Sequence, residues 1–334
     1  MKKLYSLPGN STFGVFNRLK NFSYKNQIFK PRIIDGIKVI SVGNIAMGGR
    51  GKSPLARYIA EYLAKLEFRT AVVLRGYKSR LESAGAVVSI GKGPLLSAEM
   101  CGDEAFETAF LSKNIIVTIG ADRSVAVKRA KKEGAEYAVL DDGFQHRKIK
   151  RDLDIVIITP EDVSDDENYF PAGRLREKKD SLERADIICG NFNKWKDVKE
   201  SYFFPHIFFK YVPVKLINSE GEKIDFKKKS ETPVHILSAI GDPGSFMESV
   251  KDAGFNIVSH THYHDHHFYS QKELNKAVKA AEKNGAEFII TTVKDIGKIR
   301  MLRCNFKILA LSIAVKIVEG EDILKEAIKK LQTI

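Results

Sequence analysis

The fold of this chain is decided by residues 40–53, which read ISVGNIAMGGRGKS. An apolar, β-rich run enters a glycine-rich turn, and a helix is predicted to begin near Lys52. This strand–loop–helix order is the context that a Walker A phosphate-binding loop requires. Glycines allow consecutive backbone N–H groups to converge on phosphate oxygens, and the helix N-terminus adds the positive end of its dipole. The stretch therefore predicts a nucleotide site at the end of a strand.

Individual residues of this loop have separate predicted roles. Lys52 is expected to neutralise the β- and γ-phosphates of ATP, and the Ser53 hydroxyl is expected to bind Mg²⁺. Ala46 occupies the position of the first glycine in the usual spacing, which is acceptable if its φ angle is negative. A glycine-rich turn without a ligand is the alternative, but Gly-Lys-Ser follows the strand too directly to favour it. The residues predicted to contact the nucleotide are Ala46, Met47, Gly48, Gly49, Arg50, Gly51, Lys52 and Ser53.

A second motif occupies residues 138–147, which read AVLDDGFQHR. An apolar strand that ends in paired carboxylates is typical of a Walker B site, where a carboxylate completes the magnesium shell beside the P-loop hydroxyl. Asp141 and Asp142 point to opposite sides of an extended chain, so they are expected to differ in role. The sequence leaves open which of the two binds the metal. A simple Asp-Asp-Gly turn is the alternative, and the preceding Walker A motif disfavours it.

Short apolar runs alternate with helical stretches over most of the chain. This alternation predicts an α/β fold with a P-loop NTPase-type, mostly parallel sheet flanked by helices. The predicted strands are 37–42, 70–74, 115–119, 137–140, 155–159, 187–189, 235–239, 256–259, 288–292 and 307–311. The predicted helices are 54–66, 104–111, 124–133, 245–254, 271–284 and 322–331.

The pattern changes around residues 202–230, where an aromatic run leads into Asn-Ser-Glu-Gly and then a lysine cluster. We interpret this stretch as a β-hairpin linker between two domains. The predicted organisation is a basic and aromatic N-terminal segment at 1–36, a P-loop core at 37–200, a hairpin linker at 201–232 and a second, smaller α/β domain at 233–334.

Charge and composition narrow the class of partner. The 334 residues carry 55 Lys and Arg against 42 Asp and Glu, and the resulting net charge of +13 favours anionic partners. Before Asp35 the chain has no acidic residue, and its basic and aromatic side chains are interleaved, as in a segment that lies on an anionic membrane surface. A tail that packs on the protein or binds RNA nonspecifically is equally compatible with that segment alone.

The cysteines and the apolar runs indicate the compartment. Cys101, Cys189 and Cys304 are far apart, which argues against a disulfide framework or a zinc ribbon and favours a reducing cytoplasm. We expect no signal peptide, because the first 35 residues lack a continuous apolar region. We also expect no spanning helix, since no run approaches the ~20 apolar residues that one requires.

The two motifs together resemble those of the tetraacyldisaccharide 4′-kinase family. Further stretches typical of that family occur in order over roughly residues 37–300. They are Val42–Asn44, Leu74–Tyr77, Gly102–Glu104, Gly120–Arg123, Pro171–Glu177, Ala239–Pro243 and Asp265–Tyr269. The chain departs from the family at Ala46, at Ser53, where the family usually has Thr, and in an N-terminal segment that is less apolar than usual.

The resemblance implies an ATP- and Mg²⁺-dependent kinase of lipid A biosynthesis, peripheral to the cytoplasmic face of the inner membrane. Its substrate would be an anionic glycolipid, a tetraacylated glucosamine disaccharide 1-phosphate that is phosphorylated on the 4′-hydroxyl. Such a hydroxyl is a poor nucleophile and needs a positioned proton acceptor. The family's base corresponds to Asp103, paired with His266 of the second domain. The active site is then expected to assemble, and to exclude water, when the two domains close.

The resemblance also indicates supporting residues. Glu104 is expected near the metal, together with the Ser53 hydroxyl and the paired aspartates. Gln145 is expected beside the metal and the substrate. Guanidinium groups bind phosphate bidentately, and four arginines occur in family-like motifs just after strand ends, where open α/β sheets bind ligands. The candidate contacts to the substrate phosphate are Arg75, Arg123, Arg174 and Arg176.

Two other functional classes have to be weighed against the kinase. A nucleotide switch or ATPase acting through a partner protein would share the P-loop. Residues 193–196 and 292–295 both depart from the guanine-recognition pattern Asn/Thr-Lys-x-Asp, and no obligate protein partner is evident. A nucleic-acid binder would fit the net charge, but the domains contain no RNA-binding motif or aromatic platform, so no nucleic-acid partner is expected.

The histidine-rich stretch 260–267, HTHYHDHH, could suggest a zinc site. It resembles the His-x-His-x-Asp-His pattern of metallo-hydrolases. The register fails by one residue whether the pattern starts at His260 or at His262. We expect a mostly exposed loop in which one histidine, His266, is functional.

Overall fold

The computed structural model describes residues 23–24, 29–48, 51–164, 168–198, 201, 203–224 and 231–333. The chain divides into two compact units that interleave along the sequence. Unit 1 takes in the described residues up to Val73, those of Arg123–Lys210 and those from Lys316 onward, and unit 2 takes in Leu74–Asp122 and Tyr211–Val315. These units reflect packing between segments that are distant along the chain, and the consecutive domain bounds expected from the sequence stay a prediction.

Strands and helices alternate in a mixed, mostly parallel α/β fold, which confirms the predicted fold class. The strands are β1 (Lys38–Asn44), β2 (Thr70–Leu74), β3 (Ala86–Ile90), β4 (Ile116–Ile119), β5 (Tyr137–Asp141), β6 (Leu153–Ile158), β7 (Ile187–Asn191), β8 (Ile207–Ile217), β9 (Lys223–Ile224), β10 (Pro233–Ser238), β11 (Asn256–His262), β12 (Phe288–Thr292) and β13 (Ile308–Glu319). The helices are α1 (Lys52–Lys65), α2 (Ala98–Cys101), α3 (Asp103–Leu111), α4 (Arg123–Lys132), α5 (Phe192–Trp195), α6 (Pro243–Asp252), α7 (Gln271–Lys283), α8 (Val293–Ile299) and α9 (Glu321–Thr333).

Unit 1 is built on a parallel arrangement of strands in the order β8-β7-β6-β1-β5-β2. β1 is central, with Val42 aligned to Asp141 of β5 on one side and to Ile155 of β6 on the other. Strands β5 and β6 are buried along their whole length, as is nearly all of β1, which explains their continuous apolar sequences. Because these strands are parallel, the segments that follow β1 and β5 emerge at the same edge.

Unit 2 contains a second parallel arrangement in the order β11-β10-β12-β13 and an antiparallel pair, β3 and β4. Helix α3 packs against α8. Strands β8 and β9 pair in antiparallel fashion across a turn closed by the Gly221 N–H donating to the Asn218 carbonyl, 3.1 Å away. This hairpin lies inside the stretch expected to form a linker.

Predicted and observed elements agree to within a few residues at most positions. Among the strands and α-helices of the described residues, four were not predicted, namely β3, α2, α5 and α8. Helix α8 has only seven residues, too few to show a helical period, and it follows β12 without a loop. None of the described helices has the length and the apolar character needed to span a bilayer.

Candidate active site

The predicted nucleotide loop connects β1 to α1 in unit 1. Helix α1 begins at Lys52 after Gly51, whose φ of 74° lies in the left-handed region that glycine adopts at little cost. No side chain caps this helix, and its first turn carries no acidic residue. The positive end of the helix is therefore not neutralised by its own side chains and suits a phosphate group. Gly49 and Arg50 lie outside the described residues.

A strap formed by residues 169–177 holds the described part of the loop. The Met47 N–H donates to the Arg174 carbonyl, and the Arg176 N–H donates to the Ile45 carbonyl, both at 2.7 Å. Ala46 is buried and does not have a positive φ, so its methyl group is accommodated as the sequence argument required. Gly48 has a φ of 107° and open space around it, which leaves the loop accessible at this point.

Lys52 lies at the centre of a polar group that we call the phosphate-loop cluster: Asn44, Lys52, Asp142 and Arg176. The Lys52 Nζ is 3.3 Å from the Asn44 Oδ1 and 3.3 Å from the Asp142 Oδ1. The Arg176 Nη1 donates to both Asp142 oxygens, at 3.0 and 2.8 Å. Gln145 supports the cluster, since its Nε2 donates to the Asn44 carbonyl at 2.7 Å.

Asp142 carries both strain and a perturbed charge. Its φ of 55° is unusual for a residue other than glycine, and strain of this kind concentrates at functional sites. Burial raises the pKa of the Asp142 carboxyl, but Lys52 and Arg176 outweigh burial, so that the net pKa lies below its ordinary value. Asp142 is thus an ionised carboxylate at neutral pH, held by two cations.

The donors beside this loop fit a magnesium ion bound with ATP. Ser53 is in the first turn of α1, and Asp141 is the last residue of β5, the strand that neighbours β1. A hydroxyl and carboxylates are the hard oxygen donors that Mg²⁺ prefers, and it takes its remaining ligands from phosphate and water. Nowhere among the described residues do three or more His, Cys, Asp or Glu side chains gather as a metal cage. A magnesium site shared with a nucleotide needs no such cage.

Unit 2 contains a second polar group, the carboxylate cluster, which consists of Asp103, His266, Asp295 and Lys298. Asp103 is the first residue of α3 and is almost fully buried. The His266 Nδ1 is 3.1 Å from the Asp103 Oδ2. His266 has a φ of 65°, and its N–H donates to the Asp265 Oδ1 at 3.0 Å, which stabilises this strained turn. The two residues predicted to form a base and its partner are therefore in contact.

The other two members of the carboxylate cluster, Asp295 and Lys298, were not predicted. The Lys298 Nζ lies 2.8 Å from the Asp103 Oδ2 and 3.6 Å from the Asp295 Oδ1. Burial raises the pKa of Asp103, but the His266 hydrogen bond and the Lys298 charge outweigh it, so that the net pKa is lowered. Burial also raises the pKa of Asp295, and here it prevails over the opposing influence of Lys298.

The remaining predicted residues occupy varied positions. Glu104 forms an ion pair with Lys294 at 3.4 Å, so its role near a metal stays a prediction. The Arg75 Nε lies 2.6 Å from the Glu82 Oε1 and its side chain is mostly exposed. Arg123 opens α4 and is buried, whereas Arg174 is exposed.

The histidine-rich stretch does not form a single loop, because β11 extends to His262. His267 stacks on Tyr263 with ring centroids 4.6 Å apart, and its Nε2 lies 3.2 Å from the Glu273 Oε1. His267 therefore packs the loop, and its neighbour His266 reaches Asp103. The capping pattern of Thr292 and Asp295 could have revealed the start of α8 and drawn attention to Asp295, but it carries no signal for Lys298.

Comparisons with known proteins show which family this chain resembles. The profile of a family described as tetraacyldisaccharide-1-P 4′-kinase matches residues 3–333. The tetraacyldisaccharide 4′-kinase of Desulfotalea psychrophila is 32% identical over 302 residues, covering 87% of this chain and 86% of the relative. That of Chlorobium limicola is 31% identical over 342 residues, covering 97% and 96%. These findings confirm the resemblance inferred from the motifs.

A solved structure gives the same result at the level of fold. The crystal structure of the "apo" form of LpxK from Aquifex aeolicus, in complex with ATP, matches this chain with a TM-score of 0.78. The two sequences are 29% identical, and the match covers 95% of each chain. The similarity in fold is thus accompanied by similarity in sequence over nearly the whole length.

Proposed function

We propose a division of roles between the two clusters of this chain, which belongs to the tetraacyldisaccharide 4′-kinase family. The chain is a kinase that transfers phosphate from ATP to the 4′-hydroxyl of a tetraacyldisaccharide 1-phosphate in lipid A biosynthesis. A nucleotide switch acting through a partner is not favoured. The observation that carries the residue roles is the 3.1 Å contact between the His266 Nδ1 and the Asp103 Oδ2.

The phosphate-loop cluster binds the nucleotide. Lys52 and the first turn of α1 hold the β- and γ-phosphates, and Arg176 adds a second cation beside Lys52. Ser53, Asp141 and Asp142 would hold magnesium, which would neutralise charge on the phosphate oxygens when bound. Asp142 is already ionised because of its two cationic neighbours, so it needs to lose no proton to serve as a ligand.

The carboxylate cluster activates the acceptor. Asp103 takes the proton of the 4′-hydroxyl while that oxygen forms its bond to the γ-phosphorus and the bond to the β–γ bridging oxygen breaks, releasing ADP. The lowered pKa keeps the Asp103 carboxyl ionised, and an ionised carboxylate has a free lone pair that can accept the proton. His266 holds the carboxylate in position.

The substrate is an anionic glycolipid, and cationic side chains recognise its phosphate. Arg75, Arg123 and Arg174 are the proposed contacts, together with Gln145 and Arg176. The basic and aromatic segment 1–36, most of which lies outside the described residues, holds the protein at the anionic cytoplasmic face of the inner membrane. Deleting residues 1–34 should weaken binding to anionic vesicles more than it weakens ATP binding.

The direct test is to incubate the purified chain with ATP, Mg²⁺ and tetraacyldisaccharide 1-phosphate and to identify the product by mass and phosphorus NMR. We expect one added phosphate on the 4′-oxygen, formed in amounts equal to the ADP released. ATP hydrolysis that proceeds equally fast without the glycolipid, with no phosphorylated lipid, would contradict the proposal and favour the nucleotide switch. Omitting Mg²⁺ should abolish product formation.

A further inference from the structure

We propose that Lys298 is a positioning residue that fixes the Asp103 carboxylate, so that its Oδ1 is the atom that receives the proton of the acceptor hydroxyl. This inference rests on the proposed function of Asp103 as the base and adds to it both a residue and a choice of oxygen. Lys298 does not touch the reacting atoms in this scheme and acts through Asp103 alone.

The contacts of Asp103 are divided unequally between its two oxygens. The Lys298 Nζ and the His266 Nδ1 both approach Oδ2, at 2.8 and 3.1 Å. Within the described part of the chain, Asp103 makes no side-chain hydrogen bond or ion pair through Oδ1. The Lys298 ammonium group and the His266 ring nitrogen both lie against this one oxygen and oppose rotation of the carboxylate plane, because turning it would lengthen both contacts. Oδ1 therefore keeps its lone pairs for a hydroxyl proton.

Lys298 is itself held in place from several directions. Its side chain is 1% exposed, and the fully buried Asp295 lies 3.6 Å from its Nζ on the other side. Asp295 is fixed in turn, because its Oδ2 accepts from the Ala239 N–H at 3.0 Å and from the Thr292 Oγ1 at 2.8 Å. The Lys298 ammonium thus lies between two buried carboxylates and is closer to that of Asp103.

Lys298 also touches the segment that carries His266. Its Nζ lies 5.6 Å from the centroid of the Phe268 ring, two residues after His266, in a cation–π arrangement. One lysine therefore connects α8, the first residue of α3 and the His266 loop. A shift of Lys298 would move the base and its histidine partner together.

Stability alone does not explain a lysine at this position. Transferring charged groups from water to a protein interior is costly, and replacing a buried ion pair by apolar residues is often neutral or stabilising. Buried charged groups beside a candidate base are more typical of functional sites. During the proposed step the hydroxyl proton moves to Oδ1, the new O–P bond forms and ADP leaves, while Lys298 keeps all its protons.

The test compares Lys298→Met with Arg151→Met. Arg151 forms a similarly buried ion pair with Asp154 in unit 1, at 2.8 Å with side chains 9% and 10% exposed, and has no role in the proposed mechanism. We expect Lys298→Met to lower kcat about 100-fold, the size of effect caused by misplacing a reacting group by about 1 Å. The KM for ATP should stay within about twofold. Arg151→Met should lower the melting temperature but leave the kcat of the folded protein unchanged.

A chemical rescue separates positioning from folding. In Lys298→Ala, methylamine at millimolar concentrations should restore part of kcat by placing an ammonium group beside Oδ2, and Lys298→Arg should keep more activity than Lys298→Met. If Lys298→Met fails to fold, the double variant Asp295→Asn/Lys298→Met removes both buried charges while Asn still caps α8, and its kcat should remain low. Wild-type kcat in a folded Lys298 variant, or no rescue by methylamine, would overturn the inference.

Asp103→Asn distinguishes this inference from the function on which it depends. If Asp103→Asn turns over like the wild type, the base assignment itself fails. If Asp103→Asn is inactive while Lys298→Met and the double variant are fully active, the base assignment survives and only the role of Lys298 is refuted.

Discussion

The phosphate-loop cluster and the carboxylate cluster have a similar arrangement of charges but differ in their exposure to solvent. Each has an aspartate held by two basic groups, Lys52 and Arg176 for Asp142, and His266 and Lys298 for Asp103. The Asp142 side chain is 34% exposed, whereas that of Asp103 is 5% exposed. A solvent-accessible ion pair contributes little stability and can be exchanged for a ligand's phosphate, while a buried one resists any change of partner. The first arrangement suits binding and the second suits positioning.

The largest effect that we predict comes from the phosphate-loop cluster, where a substitution should change both ATP binding and kcat. Lys52→Met should weaken ATP binding and lower kcat about 10³-fold, since it removes a cation from the transferring phosphate and leaves Asp142 with Arg176 alone. Calorimetric titration with ATP and steady-state kinetics would measure both. A Lys52→Met variant with a lower kcat but wild-type ATP affinity would contradict the assignment of nucleotide binding to the phosphate-loop cluster.

His266→Asn should have a smaller effect, which should lower kcat and leave ATP binding unchanged. Losing the 3.1 Å contact to Asp103 frees the base on one side while Lys298 still holds it, so we expect kcat to fall about 100-fold. ATP affinity should stay within about twofold of wild type, as measured by the same titration. An equal loss in ATP affinity would show that the carboxylate cluster also contributes to binding.

Gly43→Ala tests the packing beneath the phosphate-loop cluster. A methyl group at this position would lie 2.5 Å from the Phe144 Cβ, two residues after Asp142. Overpacking of this kind should lower the free energy of unfolding by about 1–3 kcal/mol in urea denaturation. Gly244→Ala is the matched control, because the nearest atom to its new methyl group is 3.6 Å away. Equal stability of the two variants would contradict the packing argument.

His235 shows what burial does without a neutralising partner, and the effect that it predicts is gradual in pH. Burial, with the charge of His260, lowers the pKa of His235 from 6.5 to about 4, and its ring nitrogens meet the Ser259 and Thr261 hydroxyls at 2.7 and 3.1 Å. Below pH 6.5, His235 therefore binds a proton in the unfolded chain. In the folded chain His235 stays neutral until the pH falls to about 4. From this group alone, the free energy of unfolding should fall by at most about 1.4 kcal/mol per pH unit across that window.

Urea denaturation at pH 7, 6 and 5 measures this dependence. His235→Gln should have a shallower pH dependence than the wild type in the same window, because its amide does not titrate. Identical slopes for the two proteins would show that His235 is protonated in the folded state, contrary to the effect of burial.

Much of the fold could be predicted because its signals are local. Strands 70–74 and 288–292 have the same bounds in prediction and structure, since each is a short apolar run between clear breaks. Strand β13 runs to Glu319, eight residues beyond its predicted end, and after Leu311 most of its residues are half-buried or exposed, so that they lack the continuous apolar pattern of a buried strand. The interleaving of the two compact units depends on packing between distant segments, which no local pattern reveals.

The residues of the candidate site also fall into two groups, those that a local motif reveals and those that only packing reveals. Lys52, Asp142, Asp103 and His266 could be found because each lies in a motif with a recognisable order. Lys298 could not, because an isolated lysine in a sequence is most often a solvated surface residue, and its burial against Asp103 arises only from the packing of α8 on α3. The capping pair in Thr292–Asp295 marks the helix but does not reveal what its last turn contacts.

Asp103→Asn is the variant that tests the central claim most directly, because it keeps the size of the side chain and removes its negative charge and its ability to accept a proton. The measurement is the single-turnover rate of phosphate transfer to tetraacyldisaccharide 1-phosphate at saturating ATP and Mg²⁺, with ATP affinity measured in parallel. We predict a rate lower by about 10³-fold with ATP affinity unchanged within about twofold. A rate close to that of the wild type, or a loss explained by weaker ATP binding, would contradict the account.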